Sequence, residues 1–138
     1  MSDSVPLSQP RRFNADMAEL TNLLADCRAA CLMAGLGTQA MQRAELVLEE
    51  AFSNSVHHGY GGNSHLPVWL SHRILPDGLD LVYQDAAPPF DPLHEAALPT
   101  DQRPGGVGRV LMKTLPGEAS YALLAGRNTL SFRFHQTC

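Results

Sequence analysis

The chain has 138 residues, 44% of them apolar and 17% charged, which suits one compact domain with a sizeable core. A formal charge of −4 argues against direct contact with nucleic acid or an anionic membrane and leaves protein or small-molecule partners. The opening "MSDSVPLSQP" has no basic stretch followed by an apolar run, and nothing approaches the ~20 apolar residues of a membrane span; a soluble cytoplasmic protein is expected, one domain over 1–138 with 1–9 as a flexible N-terminus.

After this lead-in, "RRFN" reads as a short strand. Met17, Leu20, Leu24, Cys27, Cys31 and Ala34 recur at spacings of three and four, which predicts an amphipathic helix stopped by Gly35 and Gly37. Cys27, Cys31 and Cys138 form no CxxC and fit reduced thiols, the first two as core. Thr38 is placed to cap a second helix, "QAMQRAELVLEEAFSNSVHHG", whose Met41, Leu48, Phe52 and Val56 give an apolar face before Gly59. "LPVWLSHRILPDGLDLVYQD" reads as two strands joined at Pro76-Asp77-Gly78.

The proline-rich segment "AAPPFDPLHEAALPTDQRP" predicts a long loop with one helical turn over 93–97, and a loop of that length inside a compact domain is usually functional or mobile. "GGVGRVLMKTL" follows as a glycine loop feeding a third helix, and "EASYALLAGRNTLSFRF" as a second hairpin turning near Gly126 and Arg127. The order βααββαββ predicts an α/β fold of two layers, with a mixed, mostly antiparallel sheet covered by helices on one face.

The second helix carries the first chemical signal. Glu50, Asn54 and His58 form an i, i+4, i+8 row with His57 beside it, so at ~100° per residue all four are expected to face one site while Glu49 points elsewhere. A carboxylate serves as a general base, an asparagine carbonyl is a hard ligand for Mg2+, and imidazoles contact phosphate. A merely solvated helix face would show the same residues, so the rest of the chain must decide. Zinc is disfavoured because there is no HExxH and adjacent histidines diverge on a helix. No cysteine or serine lies in a nucleophile turn either.

Two later features complete a nucleotide site. Gly105, Gly106 and Gly108 stand at the mouth of the third helix, where free N–H groups and the helix dipole favour phosphate. This is not a P-loop, since Met112 precedes Lys113 and Thr114, nor a dinucleotide fingerprint, since Leu111 replaces the third glycine. Asp85 ends a strand ahead of the proline-rich loop, where its carboxylate can accept a hydrogen bond from an amino group such as that of adenine. Each feature alone is weak; their order along one chain is what raises them.

Together "EEAFSNSVHHGY", "YQDAAPPFDP", "GGVGRVLMKTL" and "GRNTLSFRF" resemble the GHKL ATPase domain of bacterial anti-sigma factor serine/threonine kinases, the RsbW-type switch-protein kinases of partner-switching systems. The resemblance runs from about Arg11 to Phe134 and implies a Bergerat-type α/β sandwich. It implies that Asn54 holds Mg2+ on the ATP phosphates, that Glu50 activates the attacking hydroxyl, and that His57 and His58 line the phosphate end. Asp85 would read the adenine amino group, supported through water by Thr129, while Gly105, Gly106 and Gly108 run along the phosphates with Arg109 as a charge partner. One departure stands out: Ala87 occupies a position where the family has glycine, which predicts weakened or shifted nucleotide binding.

Two functions follow from the resemblance. In the first, the chain is a Mg-ATP-dependent protein serine kinase that phosphorylates a STAS-type anti-anti-sigma factor, sequesters a sigma factor or similar regulator, and forms a homodimer as the family does. In the second, the same fold is a non-catalytic binding module for a regulatory partner, with weak or structural ATP binding. The intact Glu50 favours the first.

Overall fold

The computed structural model describes residues 5–94 and 106–136. Strand β1 (Arg11–Asn14) leads through a 3-10 turn to helices α1 (Leu20–Met33) and α2 (Thr38–Asn54); β2 (Pro67–Leu75), β3 (Gly78–Asp85), α3 (Gly106–Thr114), β4 (Glu118–Leu124) and β5 (Arg127–His135) complete the order. The strands form one sheet in the order β1-β2-β3-β5-β4.

Every pairing is antiparallel, so the parallel component expected from sequence is absent from the described ladders. The reason lies in the crossover. Strands β3 and β4, joined through α3, do run the same way, but β5 inserts between them. It returns from β4 through a two-residue turn at Ala125 and Gly126, whose φ angles of 52° and 77° match the twist of a tight hairpin.

Alternation along the strands gives the sheet two different faces. Phe13, Val68, Leu70, Leu79, Leu81, Tyr83, Leu130, Phe132 and Phe134 point to the helices and are buried. The opposite face carries polar groups, among them Asp80, which accepts from Arg133 at 2.7 and 3.0 Å and from Arg73 at 3.4 Å. Helix α1 contributes Leu23, Cys27, Ala30 and Cys31 to the core; the two cysteines are free thiols, as expected. Helix α2 contributes Ala40, Ala44, Val47, Leu48, Ala51 and Phe52, an alanine-rich stripe that lets the helix lie close to the sheet.

Two local expectations change. Gly37, not Thr38, is the N-cap of α2, and no side chain caps that end. Of the lead-in 1–9, residues 1–4 lie outside the described residues; at Ser8 the backbone donates to the His72 carbonyl at 2.8 Å, and the hydroxyl accepts from His72 N at 2.9 Å. Most important for the site, α2 does not continue as one α-helix to Gly59. It ends at Asn54 and passes into a π turn over Ser55–Gly59, closed by Tyr60 N donating to Ser55 O at 2.8 Å. The helical turn expected over 93–97 falls mostly outside the described residues, with a turn formed over 92–94.

Phe52 is fully buried between α2 and the sheet. Phe52→Ala should therefore cost about 3–5 kcal/mol, read as a lowered urea midpoint with an unchanged slope.

Candidate functional site

Where β3 ends and β5 begins, Asp85 and Asn128 face each other across the ladder. Beside them a cavity of about 600 Å3 opens between the end of α2, the sheet and α3. Asn54, Ser55 and His58 form one wall, Asp85 and Asn128 the sheet end, and Arg109 and Met112 the α3 side. The loop from Ala87 to Phe90 covers the sheet end.

Asp85 is held by three donors. Ser55 Oγ donates to Oδ2 at 2.6 Å, while Asn128 Nδ2 and Ala87 N donate to Oδ1 at 2.8 and 3.1 Å. Asn128 also donates to the carbonyls of Ala87 and Pro88 and accepts from Phe90 N at 3.0 Å, which fastens the loop over the cavity. Tyr60 completes the frame: its hydroxyl accepts from Ala86 N at 2.7 Å and donates to the Pro67 carbonyl at 2.8 Å.

This corrects the expectation for Thr129. That residue pairs with Gln84, accepts from Gln84 Nε2 at 3.0 Å, and sits on the sheet face away from the cavity. Side chains alternate along a strand, so the support assigned to Thr129 falls instead to its neighbour Asn128. Neither Asn128 nor Ser55 was singled out from sequence. The parity of β5, fixed by Leu130 and Phe132 as core residues, is the signal that would have found Asn128. For Ser55 only its position next to Asn54 hinted at a role.

Ala87 is buried, and its methyl lies against Gly59. A Cβ at position 59 would fall 2.9 Å from Ala87 Cβ, so the absence of a side chain at Gly59 is what leaves room for the one at Ala87.

The contact between α2 and α3 is built differently, with, among the described residues, only Arg109 and Met112 of α3 reaching the lining. Gly106 opens α3 and Gly108 lies in its first turn, while Gly105 lies outside the described residues. Gly108 rests on Glu50: a Cβ there would stand 2.1 Å from Glu50 Oε1 and 3.3 Å from Glu50 Cβ. Burial, then the neighbouring charge of Glu49, raises the Glu50 carboxyl above its ordinary value. Arg109 is buried with its guanidinium 5.7 Å from the centre of the Phe90 ring.

The predicted stripe is therefore brought together only in part. Asn54 and His58 line the cavity; neither Glu50, which packs beneath Gly108, nor the exposed His57 is part of the lining. The π turn over Ser55–Gly59 changes the direction of the two histidines from that of a continued α-helix; it does not bear on Glu50, which precedes it.

Asn54 supplies the clearest opening for a ligand. Its Nδ2 is buried and has no hydrogen-bond partner, so the protein leaves this carboxamide unsatisfied. Among the described residues no cluster of three His, Cys, Asp or Glu could hold a metal. An unpartnered N–H calls for an acceptor such as a phosphate oxygen; the oxygen of the same carboxamide is the atom suited to a cation such as Mg2+, which takes most of its ligands from water and phosphate and needs few from protein.

The raised Glu50 carboxyl means that the folded chain holds this proton more tightly than the unfolded chain, where such a group titrates near 4.5. Deprotonation thus weakens the fold as pH rises through and above that value. Glu50→Gln carries no charge, so its Tm relative to wild type should improve between about pH 4 and about pH 8. A pH-independent difference would contradict a desolvated carboxylate.

Among curated proteins, no sequence matches the chain. The structure is similar to a solved chain described as the RsbU and RsbW domains of Rv1364c from Mycobacterium tuberculosis, with a TM-score of 0.61 and 15% identity. That match covers 93% of this chain and 32% of the other, so this chain spans about a third of that protein's solved length. At this identity the likeness establishes the fold. No helix among the described residues is long and apolar enough to cross a membrane. The model of the histidine kinase-like ATPase domain matches residues 13–134, nearly the whole chain, and the chain belongs to that family.

Proposed function

We propose that this chain is a Mg-ATP-dependent protein serine kinase and anti-sigma factor of a partner-switching system, phosphorylating a STAS-type anti-anti-sigma factor. The observation that carries the reading is the contact between Gly108 and Glu50, with the unpartnered Asn54 amide one helical turn away. It brings the mouth of α3, a site for phosphate, onto a carboxylate whose proton affinity is already raised. The RsbW domain in the solved relative supports the same class of activity.

In this reading the base lies against Asp85 and the phosphates extend toward Gly106, Gly108 and Arg109. Asn54 holds Mg2+, which neutralises charge on the terminal phosphates when bound. His58 contacts the phosphate end. Glu50 accepts the proton of a partner serine as its oxygen bonds to the γ-phosphorus and the bond to the bridging oxygen breaks, giving phosphoserine and ADP. The cytoplasm, a sigma factor as second partner, and a homodimer belong to the same proposal.

Incubation with labelled ATP and the STAS partner tests it. Wild type should transfer label and Glu50→Ala should not, while both bind ATP; absence of nucleotide binding at millimolar ATP sinks the proposal. Gly108→Ala gives an independent reading. Its methyl must displace the Glu50 carboxylate, and a shift of about 1 Å should lower the transfer rate about 100-fold with little change in Tm.

Ala87 favours a second reading, a binding module, because its side chain is buried in the part of the site that would receive the base. That reading expects partner capture by wild type without label transfer.

A further inference from the structure

Ser55 is a polar residue of the cavity to which neither the sequence patterns nor the proposed reaction assigns a role. It is 3% exposed, and its Oγ stands 2.6 Å from Asp85 Oδ2 and 2.7 Å from Tyr83 Oη. Proton counting fixes the direction of both contacts. An ionised Asp85 has only acceptors, so Ser55 must donate to it, and that commits the single hydroxyl proton. The contact with Tyr83 then runs the other way, from the phenol to Ser55. Burial pushes the Tyr83 phenol well up, so it keeps the proton it donates. The weaker alternative acceptor for that proton, the Ala51 carbonyl, lies 3.3 Å from the phenol oxygen. The result is a one-way relay, Tyr83 to Ser55 to Asp85, ending on the cavity wall.

We propose that Ser55 is a positioning residue: backed by Tyr83, it locks the Asp85 carboxylate so that its remaining acceptor site meets the 6-amino group of a purine. The count of lone pairs supports this placement. A carboxylate offers about four acceptor sites. Ser55, Asn128 and Ala87 N occupy three of them in Asp85, leaving one for a ligand N–H. Without Ser55 the carboxylate loses its only partner on Oδ2 among these bonds, and that oxygen is free to turn or to take up water.

This inference rests on the nucleotide reading above, and the test separates the two. Wild type, Ser55→Ala and Tyr83→Phe are titrated with ATP and with purine riboside triphosphate, which keeps every phosphate but lacks the 6-amino group. Ser55→Ala should bind ATP about tenfold more weakly and the deamino analogue within about twofold of wild type. Tyr83→Phe should show a smaller loss with the same selectivity, and it carries the test if Ser55→Ala does not fold. Equal losses for both ligands, or none for either, overturn the role of Ser55. A wild type that binds neither ligand overturns the nucleotide reading itself.

Discussion

Placing a carboxylate at the end of a central strand removes it from water, a cost that only well-aimed donors offset. Asp85 receives three: a hydroxyl from the turn after α2, an amide from β5 and a backbone N–H from its own loop. Each donor belongs to a different element. The helix, the neighbouring strand and the loop are thus held in register by one acceptor, and the cavity exists where they converge. Asn128 extends this control outward by holding the loop from Ala87 to Phe90. That loop in turn brings Phe90 under Arg109 and links the sheet end of the cavity to α3.

The π turn is the backbone counterpart of that constraint. An α-helix carried on to Gly59 would have kept His57 and His58 near the row set by Glu50 and Asn54. The wider turn instead accompanies a buried Ser55, an exposed His57 and a His58 at the cavity. It also leads into Tyr60, which bridges β2 and the loop after β3. Gly59 sits in the same turn, and its missing side chain admits the methyl of Ala87. A departure that looks damaging when residue 87 is read alone is accommodated by a neighbour 28 positions earlier in the chain.

Much of this was legible in the sequence because it depends on periodicity. The apolar spacing of α2, the alternation of β3 and β5, and the turn at Gly126 gave the order of elements, and the order placed Asp85 and the α3 glycines at one end of the sheet. What periodicity could not give was the hydrogen-bond pattern of the turn after Asn54, since residue types there allow both an α and a π turn. The choice of Thr129 over Asn128 failed for a related reason. A role carried over by resemblance lands one residue off unless the strand parity is checked against the core residues beside it. The contacts of Gly59 with Ala87 and of Gly108 with Glu50 are tertiary, and no local pattern announces them.

The two ends of the cavity differ in how completely the protein satisfies its own groups. At Asp85 three of about four acceptor sites are filled before any ligand arrives, which leaves about one for a ligand N–H. Around Asn54 and Glu50 the opposite holds: a buried amide nitrogen has no partner, and a partly desolvated carboxylate resists its charge. Unsatisfied polar groups make the empty state less stable, and a ligand that satisfies them gains that difference on binding. A nucleotide bound here would be oriented by the saturated end and would interact most strongly at the unsaturated one. That gain counts toward affinity; it raises a rate only through contacts made more strongly in the transition state than in the bound ground state. The division of polar satisfaction therefore puts the strongest demand for a ligand near Asn54 and Glu50, away from the saturated Asp85.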